Sequence, residues 1–386
     1  MRFVCFFTAL VIVAIAPARA STAPPPIGHV FVIVLENKGF NETFIANPPS
    51  ELAYLARDLP AQGALLRQYY ATGHVSLDNY ISMVSGQAPN VETQSDCQMY
   101  TDFVGVIDPS SGQAIGQGCV YSRGVQTIVD QLEAAANATW KGYMEDMGND
   151  LGRDGRATCA HPPLNSRDGT QAAEVGDQYA TRHNPFVFFH SIIDDPARCD
   201  SHVVPLGDDD TTHPGLASDL TRAATTPNFV FITPNLCNDA HDAACVDGQP
   251  GGLVSANQFL ETWVPRITDS PAYRRDGLLI ITFDEADVSP NDPEAATSCC
   301  EEPTGFNTPL PGIWGPGGGR TGTVALSRFI APGTTSDTPY NHYSLLRSLE
   351  DIFGVGHLGY AAQEGLAPFG SDVYTNPSGR RPKRRP

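Results

Sequence analysis

The chain has 386 residues, 41% of them hydrophobic and 17% charged, with 36 glycines and 32 prolines. That balance fits a globular protein with a sizeable core and excludes a disordered or collagen-like chain. The 24 basic and 43 acidic side chains leave a formal net charge of -19. This excludes non-specific nucleic-acid binding, which depends on Lys and Arg neutralising phosphates, and an anionic substrate would need a local reversal of field such as a bound cation provides.

In chain order, Arg2, an apolar run over 3–16 and the Ala18-Arg19-Ala20 triplet have the form of a secretory signal peptide. The mature protein is expected to begin near Ser21 and to be secreted or periplasmic. No later apolar run reaches bilayer length, so no stable membrane insertion is expected. Residues 21–375 are expected to form a single decorated domain, and 376–386, ending GRRPKRRP, a basic disordered tail.

Three apolar runs end abruptly in polar residues: HVFVIVLEN (29–37), NFVFITPN (228–235) and GLLIITFDE (277–285). Continuous apolar runs of this length suit strands buried on both faces. PFVFFH (185–190) and TVALSRFI (323–330) are two further strand candidates. Helical spacing marks Leu52, Leu55 and Ala56, then Leu253, Leu260, Val264 and Ile267. In NHYSLLRSLEDIFG a helix capped by Asn341 and stopped by Gly354 places Leu345, Leu349, Ile352 and Phe353 on its apolar side. Strands alternating with helices predict an α/β fold, a mostly parallel central sheet with helices on both faces. Ligands of such sheets bind beyond the carboxyl ends of the strands.

Segments 87–124, 148–177 and 287–319 read as insertions around that sheet. Eight cysteines follow the leader: Cys97, Cys119, Cys159, Cys199, Cys237, Cys245, Cys299 and Cys300. An even number in an exported chain predicts disulfides, and the absence of a CxxC pair disfavours a thiolate zinc site. Cys97 with Cys119 and Cys237 with Cys245 would close short loops, but spacing does not choose among the 105 pairings that eight cysteines allow. Cys299 and Cys300 fit either one bridge or two.

Glu36 and Asn37 end one strand and Asp284 and Glu285 another, so two oxygen-bearing pairs reach the same sheet edge. Oxygens of this kind are the ligands a hard divalent cation prefers; each pair taken alone serves equally well as a helix cap. In YYATGHVSLDNYISMVSG (69–86), Ser76 is placed to cap a helix whose Leu77, Ile81 and Val84 face inward. A serine there is most often only a cap. Beside a cation it is also a nucleophile, with Asn79 one turn on to donate to a phosphoryl oxygen.

Taken in order, HVFVIVLEN, YATGHVSLDNYISMVSG, RHNPFVFF, TPNLCNDAHD, TFDE and NHYSLLRSLEDIFG resemble the bacterial phosphoesterase family that contains secreted acid phosphatases and phosphatidylinositol phosphatases. That family is related to phosphatidylcholine-type phospholipases C and belongs to the alkaline phosphatase superfamily. The resemblance implies an alkaline-phosphatase-like fold and a metal-dependent acid phosphatase acting through a phosphoserine. Glu36, Asn37, Asp284 and Glu285 would hold the metal, joined by Asp239 and by Ser76, which is also the nucleophile. His74, His183, His241 and His342 are the histidines placed near the chemistry, His241 and His342 foremost. His29, His161, His190, His202, His213 and His357 are expected to be structural.

The oxygen-rich set fits Ca, Mg or Mn, and the histidines leave Zn open. The implied substrate is a phosphorylated small molecule or a phosphoinositide; the sequence does not specify an oligomeric state. A phospholipase C-like phosphodiesterase is the alternative. Relatives of that kind often continue the TFDE motif with histidine and paired glycines, where this chain has Ala286 and Asp287; it also has Val75 and Asp78 where relatives often carry proline. SLDNY lacks the C/S-x-P-x-R pattern of a sulfatase.

Overall fold

A computed structural model describes residues 23–207, 215–287 and 293–379. The expected leader, His213 and residues 380–386 of the basic tail lie outside the described residues. The strands of the main sheet are β1 (His29–Leu35), β2 (Ala64–Leu66), β3 (Trp140–Met144), β4 (Val203–Pro205), β5 (Phe229–Thr233), β6 (Gly277–Phe283), β7 (Thr323–Ser327) and β8 (Thr334–Ser336). Their order is β8-β2-β7-β6-β1-β5-β3-β4. β7 is antiparallel to both neighbours, and the remaining pairings are parallel. The predicted mostly parallel α/β sheet is therefore observed.

Alternation along the strands divides the core in two. Val30, Val32 and Val34 of β1 join one apolar cluster with α1 (Ser76–Ser85) and α3 (His342–Phe353), through Leu77, Ile81, Leu345 and Leu349. Phe31, Ile33 and Leu35 face the other way, onto Leu260, Trp263, Val264 and Ile267 of α2 (Gly252–Asp269). Burying both faces is why these runs read as continuous apolar stretches, each such side chain contributing about 1.5–3 kcal/mol. α3 begins and ends as expected: Asn341 Oδ1 accepts from Ser344 N at 2.9 Å, and Gly354 at φ 69° closes it in the left-handed region only glycine adopts freely.

Two local expectations are corrected. PFVFFH is no strand: Pro185–Phe188 is a 3-10 turn and His190–Ile193 a helical one. A short apolar run does not distinguish a buried strand from a buried helical turn, and a proline at the first position favours the turn. Ser76 is not the helix cap either; the cap position is Val75, and Ser76 is the first helical residue. Its hydroxyl is thereby turned away from the helix amides and left for other partners.

Four disulfides occur among the described residues: Cys97–Cys119, Cys159–Cys199, Cys237–Cys245 and Cys299–Cys300. The third closes the loop that follows β5 and carries Asp239 and His241.

Candidate active site

Register decides what meets at the sheet edge. Leu35 pairs with Phe283, so Glu36 and Asp284 leave their strands side by side, and Asp284 N donates to Leu35 O at 2.8 Å. The alternation that points Val30, Val32 and Val34 toward α1 continues into Glu36, and that of Leu278 and Ile280 continues into Asp284. Glu36 N donates to Asp239 O at 2.7 Å, which brings in the loop after β5. Asp284 Oδ1 accepts from Asn37 N at 2.9 Å and from Glu285 N at 2.6 Å.

The start of α1 faces this group. Ser76 Oγ donates to Glu36 Oε2 at 2.7 Å, and Tyr80, one turn further along the helix, donates to Glu36 Oε1. Ser76 stands on a sharp elbow: Val75 has φ 81°, a region that costs a β-branched residue about 1–3 kcal/mol. The elbow is over-determined. Asn79 Oδ1 accepts from Thr72 N and Gly73 N, both at 3.0 Å, and its Nδ2 donates to Gly73 O at 2.9 Å. Residues 311–319 lie along the same turn, with His74 N donating to Pro311 O and Ala71 N to Gly319 O. A Cβ on Gly318 would stand 1.9 Å from Gly73 O, so only glycine allows that approach. Both ends of the Asn79 amide, expected to reach a phosphoryl oxygen, are bonded to the elbow in this structure.

Of the four histidines, His183 lies closest to Glu36, the partner of Ser76. Its Nε2 is 3.3 Å from Glu36 Oε2 and its Nδ1 3.6 Å from Asp239 Oδ2, with the ring stacked on Tyr80. His342 instead spends its ring on Tyr69 OH (3.0 Å) and Asp284 O (2.6 Å), and burial lowers it to about 4, so it is neutral and holds Asp284 in place. His74 is held between Glu285 and Ala295 O and orients that carboxylate. The side chain of His241 is 44% exposed, at the rim beside Asp242. Geometry thus places His183, and not the expected His241 and His342, against Glu36 and Asp239. His29, His161, His190, His202 and His357 have protein partners elsewhere, as expected of structural histidines.

Burial, and after it the charge of Glu36, pushes the carboxyls of Asp239 and Asp284 well above the usual range. Burial, then the charge of Arg182, pushes His183 well below its own. Asn37 Oδ1, Asp239 Oδ2, Asp284 Oδ2 and both nitrogens of His183 are buried without a hydrogen-bond partner. Buried polar atoms left so in one place fit the ligand set of a divalent cation, with carboxylate and amide oxygens and a neutral imidazole. A tighter trio exists at Cys237, Cys245 and Asp247, but its two sulfurs are joined to each other and offer no thiolate.

Sequence reasoning missed three contributors. Tyr80 was findable at i+4 from Ser76. Arg182, inside the quoted RHNPF, lies 3.4 Å from Asp96, which in turn accepts from Leu77 N at the start of α1. The strained backbone of Val75 left no signal in residue type.

The phosphoesterase family profile matches residues 47–356, most of the chain. The chain belongs to the phosphoesterase family. The matched span of this phosphoesterase begins after β1, so Glu36 and Asn37 lie outside it. A phosphate-repressible acid phosphatase of Penicillium chrysogenum is 26% identical over 353 residues, covering 89% of this chain and 65% of that protein. The chain thus spans just under two thirds of that relative. A phosphatidylinositol-3-phosphatase of Mycobacterium tuberculosis is 24% identical over 357 residues, covering 92% of this chain and 85% of the relative. Among solved structures, an alkaline phosphatase superfamily protein from Vibrio parahaemolyticus is 11% identical with a TM-score of 0.48, covering 92% of this chain and 74% of that one.

Proposed function

We propose that this phosphoesterase is an exported, metal-dependent phosphatase that hydrolyses phosphate monoesters through a phosphoseryl intermediate on Ser76. The observation that carries the reading is the Ser76 hydroxyl donating at 2.7 Å to Glu36 within a buried group that includes Asp239, Asp284 and His183. The phosphatase names of both relatives support a monoester substrate, and four disulfides support export.

Glu36, Asn37, Asp284 and Ser76, with Asp239 and His183 adjoining, would hold a divalent cation, which supplies charge neutralisation at the phosphoryl oxygens and favours the serine alkoxide. As Ser76 Oγ bonds to phosphorus, its proton passes to Glu36 Oε2, and the bond to the leaving oxygen breaks. The departing alkoxide takes a proton at the rim, where His241 is the exposed histidine. Water then attacks phosphorus and the Oγ–P bond breaks, with the proton on Glu36 Oε2 returning to Oγ. Dividing the displacement in two is the general gain of covalent catalysis. Tyr80 fixes the second oxygen of Glu36, His74 orients Glu285, His342 holds Asp284, and Asn79 holds the elbow.

Ser76→Ala is expected to lower turnover of phosphate monoesters by about 10³-fold or more while leaving the melting curve intact. Acid quenching of the parent enzyme with labelled substrate should trap phosphate on Ser76. Turnover of the Ser76→Ala protein at the parental rate would falsify the assignment.

A further inference from the structure

The rim of this site is apolar on one side. Trp314, 66% exposed, Phe306, 58%, and Leu310, 48%, stand on one loop. That loop is laid against the nucleophile elbow by the Pro311, Gly318 and Gly319 contacts described above, and the Trp314 ring centroid is 6.1 Å from that of His74. Gln94 Nε2 fixes it from the other side, donating to Leu310 O at 2.9 Å and Pro311 O at 2.6 Å. Asn307 joins it to a two-stranded hairpin (Val104–Ile107 with Ala114–Gln117): Gly116 N donates to Asn307 Oδ1, and Asn307 Nδ2 to Ala114 O, both at 2.8 Å. On that hairpin Val104 and Val106, 76% and 67% exposed, point to one face. Large apolar side chains gathered in this way mark a binding surface, whereas scattered ones do not.

Resting on the phosphatase reading, we propose that Trp314, Leu310 and Phe306, extended by Val104 and Val106, form the leaving-group subsite and take an uncharged aliphatic chain. Trp314 packs on His74, two residues before Ser76 and bonded to Glu285, so this surface adjoins the elbow within reach of a group esterified to a phosphoryl at Ser76. Segments 301–319 and 104–117, which carry these side chains, contain no Lys or Arg, so they offer nothing to a second phosphate, and a polyol such as inositol would gain little from covering them. A net charge of -19 also sets the surface against an anionic bilayer, which favours single amphiphilic molecules as substrates.

The test is kcat/KM of the metal-loaded full chain on linear alkyl phosphates from butyl to decyl, below their micelle concentrations. Full burial of a methylene corresponds to about fourfold, and an open rim covers about half of each, so kcat/KM should rise about twofold per carbon. The decyl-to-butyl ratio would then be about 60-fold. Trp314→Ser combined with Phe306→Ser should cut that ratio to about fivefold, and Val106→Ser alone should lower it severalfold. Val175→Ser, an equally exposed apolar position outside this loop and hairpin, should leave it unchanged. Hydrolysis of every member at one flat rate, or an undiminished ratio in the double variant, overturns the subsite while leaving the phosphatase standing. Failure to hydrolyse any member overturns the phosphatase reading itself.

Discussion

At the scale of single residues, the setting of Ser76 is fixed by the side chains around it. Tyr80 donates to Glu36 and stacks on His183. Tyr80→Phe keeps the stacking and deletes the donor, so metal affinity or turnover should fall about 10- to 100-fold, the usual cost of losing a partner behind a ligand. Titration of the metal-stripped protein followed by rate measurement checks it; unchanged values would make Tyr80 mere packing. Val75 carries the backbone cost of the elbow. Val75→Gly relieves about 1–3 kcal/mol of strain and returns about 1 kcal/mol through the more flexible unfolded chain, so a net gain of about 1 kcal/mol is expected in urea unfolding. Neither residue announces its role by type. Tyr80 is readable only once Ser76 is taken as a nucleophile and the helix is followed one turn.

Elements were legible where composition and register agree. Runs ending in Glu36-Asn37 and Asp284-Glu285 had to be buried parallel strands, and their in-register pairing then brings Glu36 beside Asp284. Asn341 and Gly354 bound α3 as their residue types dictate. Where an apolar run is short, as in 185–190, burial alone fixes no conformation, and only the packing around Pro185 decides it. The histidines were legible as a set and not by role, because a role depends on which backbone carbonyl or carboxylate each ring meets. Of the disulfides, the two short-loop pairs Cys97–Cys119 and Cys237–Cys245 were suggested by spacing, whereas Cys159–Cys199 and the joining of Cys299 to Cys300 needed the loops in place. The Cys237–Cys245 bridge holds the loop that presents Asp239, and closing so short a loop is worth about 2.5 kcal/mol. Replacing both cysteines by serine should lower stability by about that amount in denaturant and weaken metal binding; retained affinity would show that the loop holds Asp239 without the bridge.

At the scale of the whole molecule, buried acids set the pH response. Burial raises Asp96 to about 6, Glu145 and Asp154 to about 7 and Glu350 to about 9. A carboxyl raised above its unfolded value, about 4, binds its proton more tightly when folded. Its contribution is therefore complete below pH 4 and is lost as pH rises through the folded value. The metal-stripped protein should accordingly melt at falling temperature from about pH 5 to pH 9, and a rising curve would contradict the burial of these groups. Glu350→Gln, which mimics the protonated form, should match the parent at pH 5 and melt higher near pH 9. An added divalent cation should raise the melting point more at pH 7 than at pH 5, since it must displace protons from Asp239 and Asp284. At 100 times the dissociation constant the gain is about 2.7 kcal/mol. A different consequence follows from the one reversed strand. The chain leaves the sheet at Phe283 and re-enters at Thr323 beside its own exit, with Thr282 and Thr323 joined through their hydroxyls at 2.7 Å. The excursion thus starts and ends at neighbouring points of the sheet, and lengthening a loop closed in this way costs little. The stretch between Ala295 and Pro311, the two points at which the excursion meets His74, can therefore change length while the strands and the contacts that hold the elbow stay as they are.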